Sequence, residues 1–348
     1  MMRPNDKFGF ITLSDKLLNT PHFRQTLRRL GRQAVLLIAL AGLCCAGCGQ
    51  GKTGTGGTTG EDEFYVFTSF HEPADEGLRF LYSEDGLHWD SIAGTWLRPE
   101  LGERVMRDPS ITRSDDGIFH LVWTIAWKGD TGFGYASSPD LVHWSEQRRI
   151  PAMDSIPSTQ NVWAPEVFHD PETGLFLIVY ASCVVDAHFD LGMEDEKNNH
   201  RLYCVTTRDF MTFSPPHLFY DPGFSCIDAT LLRRGKGDYV MVVKDNTRPN
   251  RNLRVAFAAK AEGPYSAASE PFTGQFCEGP SVCQVGEDYY IYFDAYREKV
   301  YGAMRTRDFT TFTDAADSVR VPQGHKHGTI FRAPRSVVER LISISKER

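Results

Sequence analysis

Short runs of alternating apolar and polar residues, rich in aromatic and β-branched side chains, recur from residue 63 onward. One set comprises EFYVFTSF (63–70), IFHLVWT (118–124), LFLIVYA (175–181), DYVMVVK (238–244) and DYYIYFDA (288–295). A second set follows it: LRFLY, TGFGYAS, RLYCVTT, NLRVAFA and VYGAMRT. This composition is typical of β-strands. No long helical period interrupts it between residues 60 and 330, so the pattern predicts an all-β domain.

A short phrase with an aspartate and a later aromatic follows most runs of the second set. It reads SEDGLHW (83–89), SPDLVHW (138–144), TRDFMTF (207–213) and TRDFTTF (306–312), with a weaker version in KAEGPYS (260–266). An aspartate in this position accepts hydrogen bonds from nearby backbone and favours a tight turn. The phrase therefore marks a repeated module.

A third set of motifs completes each module. RDPSI (107–111), WAPEVF (163–168), CIDATLL (226–232) and CEGPSV (277–282) each precede a run of the first set, except that EFYVFTSF has no such motif upstream. HGTIF (327–331), near the other end of the chain, can supply that strand. The arrangement predicts a five-bladed β-propeller with four-stranded blades, closed by the N- and C-terminal strands. A β-sandwich or two smaller β domains are alternatives, but modules 49 to 62 residues apart are too long for sandwich hairpins.

The first sixty residues have a different character. Four arginines precede the apolar run AVLLIALAGLCCAGC (34–48), which is too short to span a bilayer and ends in small residues. Its end, CAGC, resembles a bacterial lipobox, although Cys45 stands where leucine is usual. We therefore predict a signal peptide over 1–47, lipidation of Cys48, a Gly/Thr-rich tether over 48–61, the propeller over 62–332 and a tail over 333–348. A plain signal peptide is the alternative.

Charge and cysteine usage narrow the function classes. The net charge is −7, and removing residues 1–47, with seven Lys/Arg and two Asp/Glu, lowers it to −12. An acidic chain does not favour nucleic-acid binding. We expect a monomeric, lipid-anchored protein of the bacterial cell envelope. The five remaining cysteines are odd in number and contain no CxxC pair, so we expect them to be buried thiols, with one disulfide among them as the alternative. They are Cys183, Cys204, Cys226, Cys277 and Cys283.

Polar residues sit near the start of each predicted innermost strand: Asp108, Glu166, Asp228, Glu278 and His327. Innermost strands of a propeller run parallel around a channel, so one end of it would gather these groups. Close carboxyls shift one another's pKa, which allows one to act as a general acid and another as a base. Glycoside hydrolysis needs such a pair, with sugars stacking on aromatics for which Trp127, Trp163 and Tyr296 are candidates. The alternatives are turn-capping acids, a structural histidine and core tryptophans.

These motifs, in this order, resemble glycoside hydrolase family 43 over roughly residues 62–332. That family comprises inverting five-bladed propellers acting on arabinose-, xylose- and galactose-containing glycans. The resemblance implies that Asp108 is the general base, Asp228 orients the acid and tunes its pKa, and Glu278 is the general acid. It implies that His327 is an axial histidine, which in some members neighbours a hydrated calcium ion. No cofactor is required.

The resemblance also implies sugar-binding residues. Asn161, Trp163 and Glu166 belong to NVWAPE, which matches a motif lining the subsite for the terminal sugar, although Glu166 replaces the usual aspartate. Arg297 matches an arginine that binds a sugar hydroxyl. Lys244 and Arg297 end middle strands, where they reach either the funnel or the surface. A second departure from the family is Ala229, which stands where proline commonly follows the aspartate.

The expected activity is that of an exo-acting α-L-arabinofuranosidase. The long polar insert at 186–201 favours a closed pocket and thus exo action. Alternatives are a β-xylosidase, a galactose- or galactofuranose-releasing hydrolase, and a non-catalytic carbohydrate-binding propeller. A phosphorolytic relative would need a basic cluster, for which Arg107 and Arg297 are candidates. A zinc site on His325 and His327 has weak support without an HExxH motif.

Overall fold

The computed structural model describes residues 63–185, 187, 193–194 and 197–347. The predicted signal peptide, the lipidation site Cys48 and the tether lie outside these residues, as does part of the 186–201 insert. Among the described residues, no helix is long and apolar enough to cross a membrane.

Five antiparallel sheets form the blades. Blade 1 contains β1 (Glu63–Ser69), β2 (Leu78–Ser83), β3 (Asp90–Leu97) and β19 (Ile330–Pro334); blade 2 contains β4 (Arg107–Arg113), β5 (Phe119–Thr124), β6 (Phe133–Ser138) and β7 (Arg148–Ile150); blade 3 contains β8 (Trp163–Asp170), β9 (Leu175–Ser182), β10 (Arg201–Thr207) and β11 (His217–Tyr220); blade 4 contains β12 (Cys226–Gly235), β13 (Asp238–Asp245) and β14 (Asn252–Ala258); blade 5 contains β15 (Cys277–Val285), β16 (Asp288–Ala295), β17 (Val300–Thr306) and β18 (Thr313–Asp314).

The innermost strands close a ring. β4 contacts β8, β8 contacts β12, β12 contacts β15, β15 contacts β19, and β19 contacts β4. Strand β19 pairs antiparallel with β1, with Ile330 opposite Phe67, so the two ends of the domain share blade 1. The predicted five-bladed propeller and its closure are confirmed.

Blade 4 departs from the four-strand pattern because its outer edge is bonded by side chains. The N–H groups of Ser266 and Ser269 donate to the carbonyls of Phe257 and Val255 on β14. In return, the N–H groups of Phe257 and Val255 donate to the hydroxyls of the same serines instead of to backbone carbonyls. The segment thus covers the edge of the blade without forming a regular strand, and three strands remain.

The repeated aspartate phrases form the predicted turns. Asp85 Oδ1 accepts from the N–H groups of Leu87 and His88, both at 2.8 Å. Asp140, Asp209 and Asp308 accept the equivalent pairs of N–H bonds in their own turns. These four turns each follow a penultimate strand and direct the chain into the outer part of the blade.

The segment predicted as a tail is ordered against blade 1. Strand β19 extends to Pro334 and is followed by the helix α1 (Arg335–Glu347). Val338 and Leu341, three residues apart on one face, are buried in the cluster that contains Phe64 and Trp96. The five described cysteines are buried free thiols, in agreement with the favoured interpretation.

Candidate active site

Backbone bulges position the groups at the end of the axis. The innermost strands of blades 2 to 5 each shift register near their start. At each shift one residue takes a left-handed conformation: Asp108 (φ 52°), Ala164 (46°), Asp228 (51°) and Gly279 (57°). A bulge redirects the local side chains, and aspartate tolerates this conformation better than most residues. The bulges therefore explain why the side chains of Asp108 and Asp228 depart from the regular in-and-out alternation of their strands.

A pocket of about 230 Å³ opens at this end of the ring. It is lined by seven of the residues predicted from the sequence, namely Asp108, Trp127, Trp163, Asp228, Lys244, Glu278 and His327. Its wall also contains Arg107, a candidate for the basic cluster of a phosphorolytic relative, together with residues that were not predicted: Thr124, Glu194, Asn198, Ile227, Asn246 and Arg251. The 186–201 insert supplies Glu194 and Asn198. The length of this insert in the sequence had indicated that it borders the funnel.

Asp108 is held as an anion. His327 Nδ1 lies 3.2 Å from Asp108 Oδ1, and the Thr124 hydroxyl donates to Oδ2 at 2.9 Å. Thr124 Oγ1 accepts from the Ala164 N–H, which leaves its proton for Asp108. Burial alone would raise the pKa of Asp108, but the His327 partner and Arg107 lower it overall. Burial disfavours the imidazolium, yet Asp108, Asp228 and Glu278 raise the pKa of His327 to about 9.

Glu278 forms an ion pair of its own. Lys244 Nζ lies 2.8 Å from Glu278 Oε2, and the Lys244 side chain is only 2% exposed whereas that of Glu278 is 33% exposed. Burial favours the neutral acid, but the Lys244 ammonium lowers the pKa of Glu278 below its ordinary value. Lys244 therefore lies in the funnel and not on the surface, which decides between the two placements left open by the sequence.

Asp228 has no such direct cation partner among the hydrogen bonds and ion pairs of the described residues. Its Oδ2 accepts the N–H of Gly279, next to Glu278, at 3.1 Å. Burial raises its pKa, more than His327 and Lys244 lower it. The three acids thus lie in one pocket with different tendencies to hold a proton.

An aromatic stack forms one wall of the pocket. The ring centroids of Trp127 and Trp163 are 4.7 Å apart, and Trp163 stacks at the same distance on His200. Trp163 Nε1 donates to the Trp127 carbonyl at 2.8 Å, while Trp127 remains 44% exposed. The predicted sugar ligand Asn161 does not line the pocket. It is buried behind the stack, where its amide contacts His200 Nε2.

Glu166 lies deeper along the axis and does not line the pocket, contrary to the expectation from the sequence. Its carboxylate accepts bonds from the hydroxyls of Ser110 (2.6 Å), Thr230 (2.8 Å) and Thr329 (2.9 Å). These hydroxyls only partly offset the burial that raises the pKa of Glu166. The reason is register: Glu166 is two residues beyond the bulge residue Ala164, so it aligns with Ser110 and Thr230 and not with Asp108 and Asp228.

Two other predicted sugar ligands also lie outside the pocket. Arg297 is exposed and its guanidinium lies 3.3 Å from the ring centroid of Phe276. Tyr296 contacts the pocket indirectly, since its ring is 5.4 Å from Lys244 Nζ. Both residues follow the end of β16 in a turn, where strand alternation no longer determines side-chain direction.

The side chains around His327 are not arranged as a calcium site built from protein ligands, and the hydrated calcium ion expected from the resemblance stays a prediction. Calcium prefers six to eight oxygen ligands, whereas His327 presents Nδ1 to Asp108 and carries a raised pKa that favours its cationic form. Within the described residues, no group of three or more His, Cys, Asp or Glu side chains is arranged to hold a metal. The histidine supplies positive charge to Asp108 directly.

Comparison with known proteins identifies the family. Residues 62–336 match the family described as a probable glycosyl hydrolase domain, related to glycosyl hydrolase family 43. The chain belongs to this family. The match covers more than three quarters of the sequence. It includes Asp108, Asp228 and Glu278, so the three acids of the pocket lie inside the glycosyl hydrolase 43-related domain.

Weaker similarities to one curated protein and to solved structures cover parts of this domain. An α-L-arabinofuranosidase of Bifidobacterium longum subsp. longum is 24% identical over 160 residues, which are 40% of this chain and 15% of that protein. A thermostable family-43 glycoside hydrolase of solved structure is 16% identical, with a TM-score of 0.48 over 66% of this chain and 80% of its own. An α-L-arabinofuranosidase from Lactobacillus brevis is 18% identical, with a TM-score of 0.45 over 60% and 72%.

Proposed function

We propose that the domain is an inverting glycoside hydrolase that releases one terminal sugar, and that this sugar is α-L-arabinofuranose. The observation that carries the proposal is the meeting of Asp108, Asp228 and Glu278 in one small pocket with a tryptophan wall. The family assignment supports hydrolysis of a glycosidic bond. A non-catalytic binding propeller would not need three acids with distinct protonation tendencies.

The chemistry follows from the environment of each acid. Asp108, stabilised as an anion by His327 and Thr124, removes a proton from the attacking water. Glu278 donates a proton to the leaving oxygen, and Asp228, bonded to the adjacent Gly279 N–H, orients this part of the site. Water attack opposite to proton donation inverts the anomeric centre. Because Lys244 lowers the pKa of Glu278, we expect activity to rise as the pH falls, until Asp108 becomes protonated.

The dimensions of the pocket favour exo action. Its volume of about 230 Å³ is below the ~300–1,000 Å³ of pockets that hold drug-sized ligands, which suits a single sugar unit. The indoles supply flat apolar surface for the C–H face of a sugar, and the polar wall supplies donors and acceptors for its hydroxyls. The choice of arabinofuranose over xylose or galactose is supported by the curated relative named an α-L-arabinofuranosidase, which is 24% identical over 160 residues.

The test uses aryl glycosides and one variant. Wild type should release the aglycone from p-nitrophenyl α-L-arabinofuranoside, and proton NMR should show the inverted anomer of the sugar first. Glu278→Ala should lose most activity on substrates with poor leaving groups and little on those with good ones, because only the former need the proton. Glu262→Ala, at an exposed turn of blade 4, is the matched control.

The outcomes separate the alternatives. β-Xylosides or galactosides cleaved in place of the arabinofuranoside would change the sugar and keep the mechanism. Binding of arabinan or arabinoxylan without release of reducing sugar would favour the non-catalytic propeller. Equal loss by Glu278→Ala on good and poor leaving groups would contradict its role as the acid.

We also propose that the protein acts on arabinose-, xylose- or galactose-containing glycans as a monomer held at the bacterial cell envelope through a lipid on Cys48. Only the N-terminal sequence supports this location. Incorporation of labelled palmitate into wild type and its loss in Cys48→Ser tests the anchor.

A further inference from the structure

One buried acid of the pocket wall has no role in the proposed reaction. Glu194 lines the 230 Å³ pocket, and it belongs to the 186–201 insert between β9 and β10. The residue is only 9% exposed. Burying a carboxylate is unfavourable unless other groups bind it. The partners of Glu194 therefore indicate what it does.

The carboxylate of Glu194 joins the beginnings of two blades. Its Oε1 lies 2.6 Å from Nδ1 of His200, just before β10, and accepts a bond from the hydroxyl of Ser225, just before β12. Ser225 Oγ in turn accepts the His200 N–H at 2.9 Å. Burial alone would raise the pKa of Glu194, but the bonds from His200 and Ser225 lower it to about 2. Glu194 is thus an ionised acceptor that holds the imidazole of His200.

His200 has a fixed ring that supports the tryptophan wall. The residue is fully buried, and its ring stacks on Trp163 with an angle of 27° between the planes. Its second nitrogen, Nε2, accepts from the Asn161 amide nitrogen at 3.0 Å. The amide oxygen of Asn161 accepts the Cys183 N–H at 3.2 Å, which fixes the amide as well. Both ring nitrogens are therefore bonded, to Glu194 on one side and to Asn161 on the other.

Trp163 depends on this ring for its orientation. It directly precedes the bulge residue Ala164, at the point where β8 and β9 shift register. A bulge redirects the local side chains, so regular strand pairing does not set the direction of the indole. The indole instead contacts two rings, those of His200 and Trp127, each with its centroid 4.7 Å away. Trp127 is 44% exposed, so the buried His200 is the rigid support of the two.

We propose that Glu194 and His200 are positioning residues for sugar binding. The carboxylate fixes the imidazole, and the imidazole holds Trp163 at the angle at which its indole meets the terminal sugar. The inference rests on the proposed function, because it takes Trp163 as the platform for that sugar. It gives the insert a second role besides bordering the pocket, since one acid of the insert determines how tightly the sugar is held.

Steady-state kinetics with p-nitrophenyl α-L-arabinofuranoside, or with whichever aryl glycoside wild type cleaves, tests this role. Glu194→Ala should raise KM by about 2- to 12-fold, the value of one aromatic contact, with kcat close to wild type. A platform that holds the sugar equally in the ground state and the transition state affects KM and not kcat. Glu194→Gln keeps an acceptor oxygen for His200 and should return KM close to wild type.

Near-ultraviolet circular dichroism gives a readout that needs no turnover, because it reports fixed packing of aromatic side chains. Glu194→Ala should lose the part of the wild-type spectrum that Trp163→Phe also loses, whereas Glu194→Gln should keep it. Lys197→Asn is the control, at an exposed position of the same insert that does not line the pocket. Asparagine tolerates the left-handed conformation at this position (φ 60°), so KM and the spectrum should both stay unchanged.

A second variant decides the outcome if Glu194→Ala does not fold. Ser225→Ala removes one of the two bonds to Glu194 Oε1 with little change in volume. It should change KM and the spectrum in the same direction as Glu194→Ala, by a smaller amount. The unfolding midpoint of each variant is measured alongside.

The positioning proposal and the hydrolase proposal fail in different ways. If wild type cleaves aryl glycosides and Glu194→Ala changes neither KM nor the spectrum, the positioning role is overturned and the hydrolase stands. A raised KM with an unchanged spectrum, or a KM in Glu194→Gln as high as in Glu194→Ala, would show that the carboxylate binds the sugar itself and would also overturn the positioning role. If no aryl glycoside is cleaved while the spectra change as expected, the hydrolase falls and the positioning of Trp163 stands.

Discussion

Two layers of polar groups, built on the same innermost strands, hold carboxylates in different environments, and the contrast is sharpest between Asp108 and Glu278 in one layer and Glu166 in the other. In the pocket layer, Asp108 and Glu278 each contact a cationic side chain, and both have lowered pKa values. In the axial layer, two residues further along, the hydrogen bonds of Glu166 to the described residues come from three hydroxyls, and its pKa is raised.

The difference shows that environment, and not residue type, sets the direction in which the pKa of each acid is shifted here. A cation at hydrogen-bond distance stabilises the charged form, whereas neutral donors in a dry interior only partly replace water. In the pocket layer the cations therefore favour the ionised forms of Asp108 and Glu278, whereas Asp228, which lacks a direct cation partner among the described residues, has a raised pKa. The axial layer ties β4, β12 and Thr329, the residue just before β19, to blade 3 through one carboxyl group.

The largest predicted effect on activity is that of neutralising Asp108 in the pocket layer. Asp108→Asn should lower kcat/KM by about 10²–10⁴-fold on every cleaved glycoside, because the proposed base is lost whatever the leaving group. Glu166→Gln should leave kcat/KM close to wild type, since its carboxyl does not border the pocket. Steady-state kinetics with an aryl glycoside measures both.

Comparing Asp108→Asn with Glu166→Gln tests whether only the acids of the pocket layer take part in the reaction. A loss of activity in Glu166→Gln comparable with that in Asp108→Asn would show that the axial carboxyl takes part in the reaction. Unfolding curves for both variants exclude simple misfolding as the cause.

His327 gives the next largest effect, on stability. Its pKa is raised from the ordinary value of 6.5 to about 9 in the folded protein. A raised folded-state pKa contributes stability that is fully present below pH 6.5 and is lost as the pH rises through about 9. The contribution amounts to about 3 kcal/mol for a shift of this size.

Denaturant unfolding between pH 6 and pH 10 measures this contribution. Wild type should lose about 3 kcal/mol more over that range than His327→Gln, which has no titrating imidazole at this point. Met211→Leu, at a position that is 72% exposed and carries no titrating group, is the control and should keep the wild-type slope. Parallel curves for wild type and His327→Gln would contradict the ion pair with Asp108.

The architecture was predictable because the repeated pattern is local and strong. Alternating aromatic strands, aspartate turns and five ordered motifs predicted the blades, the closure by HGTIF and the acids Asp108, Asp228 and Glu278. The helix α1 and the hydroxyl-bonded edge of blade 4 were not predicted. One depends on docking against blade 1, and the other on serine side chains replacing carbonyls.

The layer of each acid was not predictable from the sequence. All four acids stand near the start of an innermost strand, and only the bulges show that Glu166 is displaced by two residues from Asp108 and Asp228. Turn geometry likewise moved Arg297 to the surface. Lys244 was recognised as a candidate, but its pairing with Glu278 depends on the approach of blades 4 and 5.

The smallest predicted effect is a shift of the pH profile on removal of Lys244, the cation beside Glu278. It tests whether this cation lowers the pKa of the proposed proton donor. Lys244→Met removes the ammonium that lowers the pKa of Glu278, so this pKa should rise. The proton donor then stays protonated to higher pH, and the high-pH limb of the kcat/KM profile should move to higher pH. A pH–rate series with an aryl glycoside that has a poor leaving group measures the limb.

The sign of that movement is the informative result, because other causes of lost activity do not produce it. Lys260→Met, at an exposed position beyond β14, should leave the limb where it is in wild type. If Lys244→Met moved the limb to lower pH, the group titrating there would not be the paired Glu278. If the limb stayed in place while the rate fell, Lys244 would act by binding the sugar, and the distinction between cation-bound and hydroxyl-bound acids would no longer explain the proton donor.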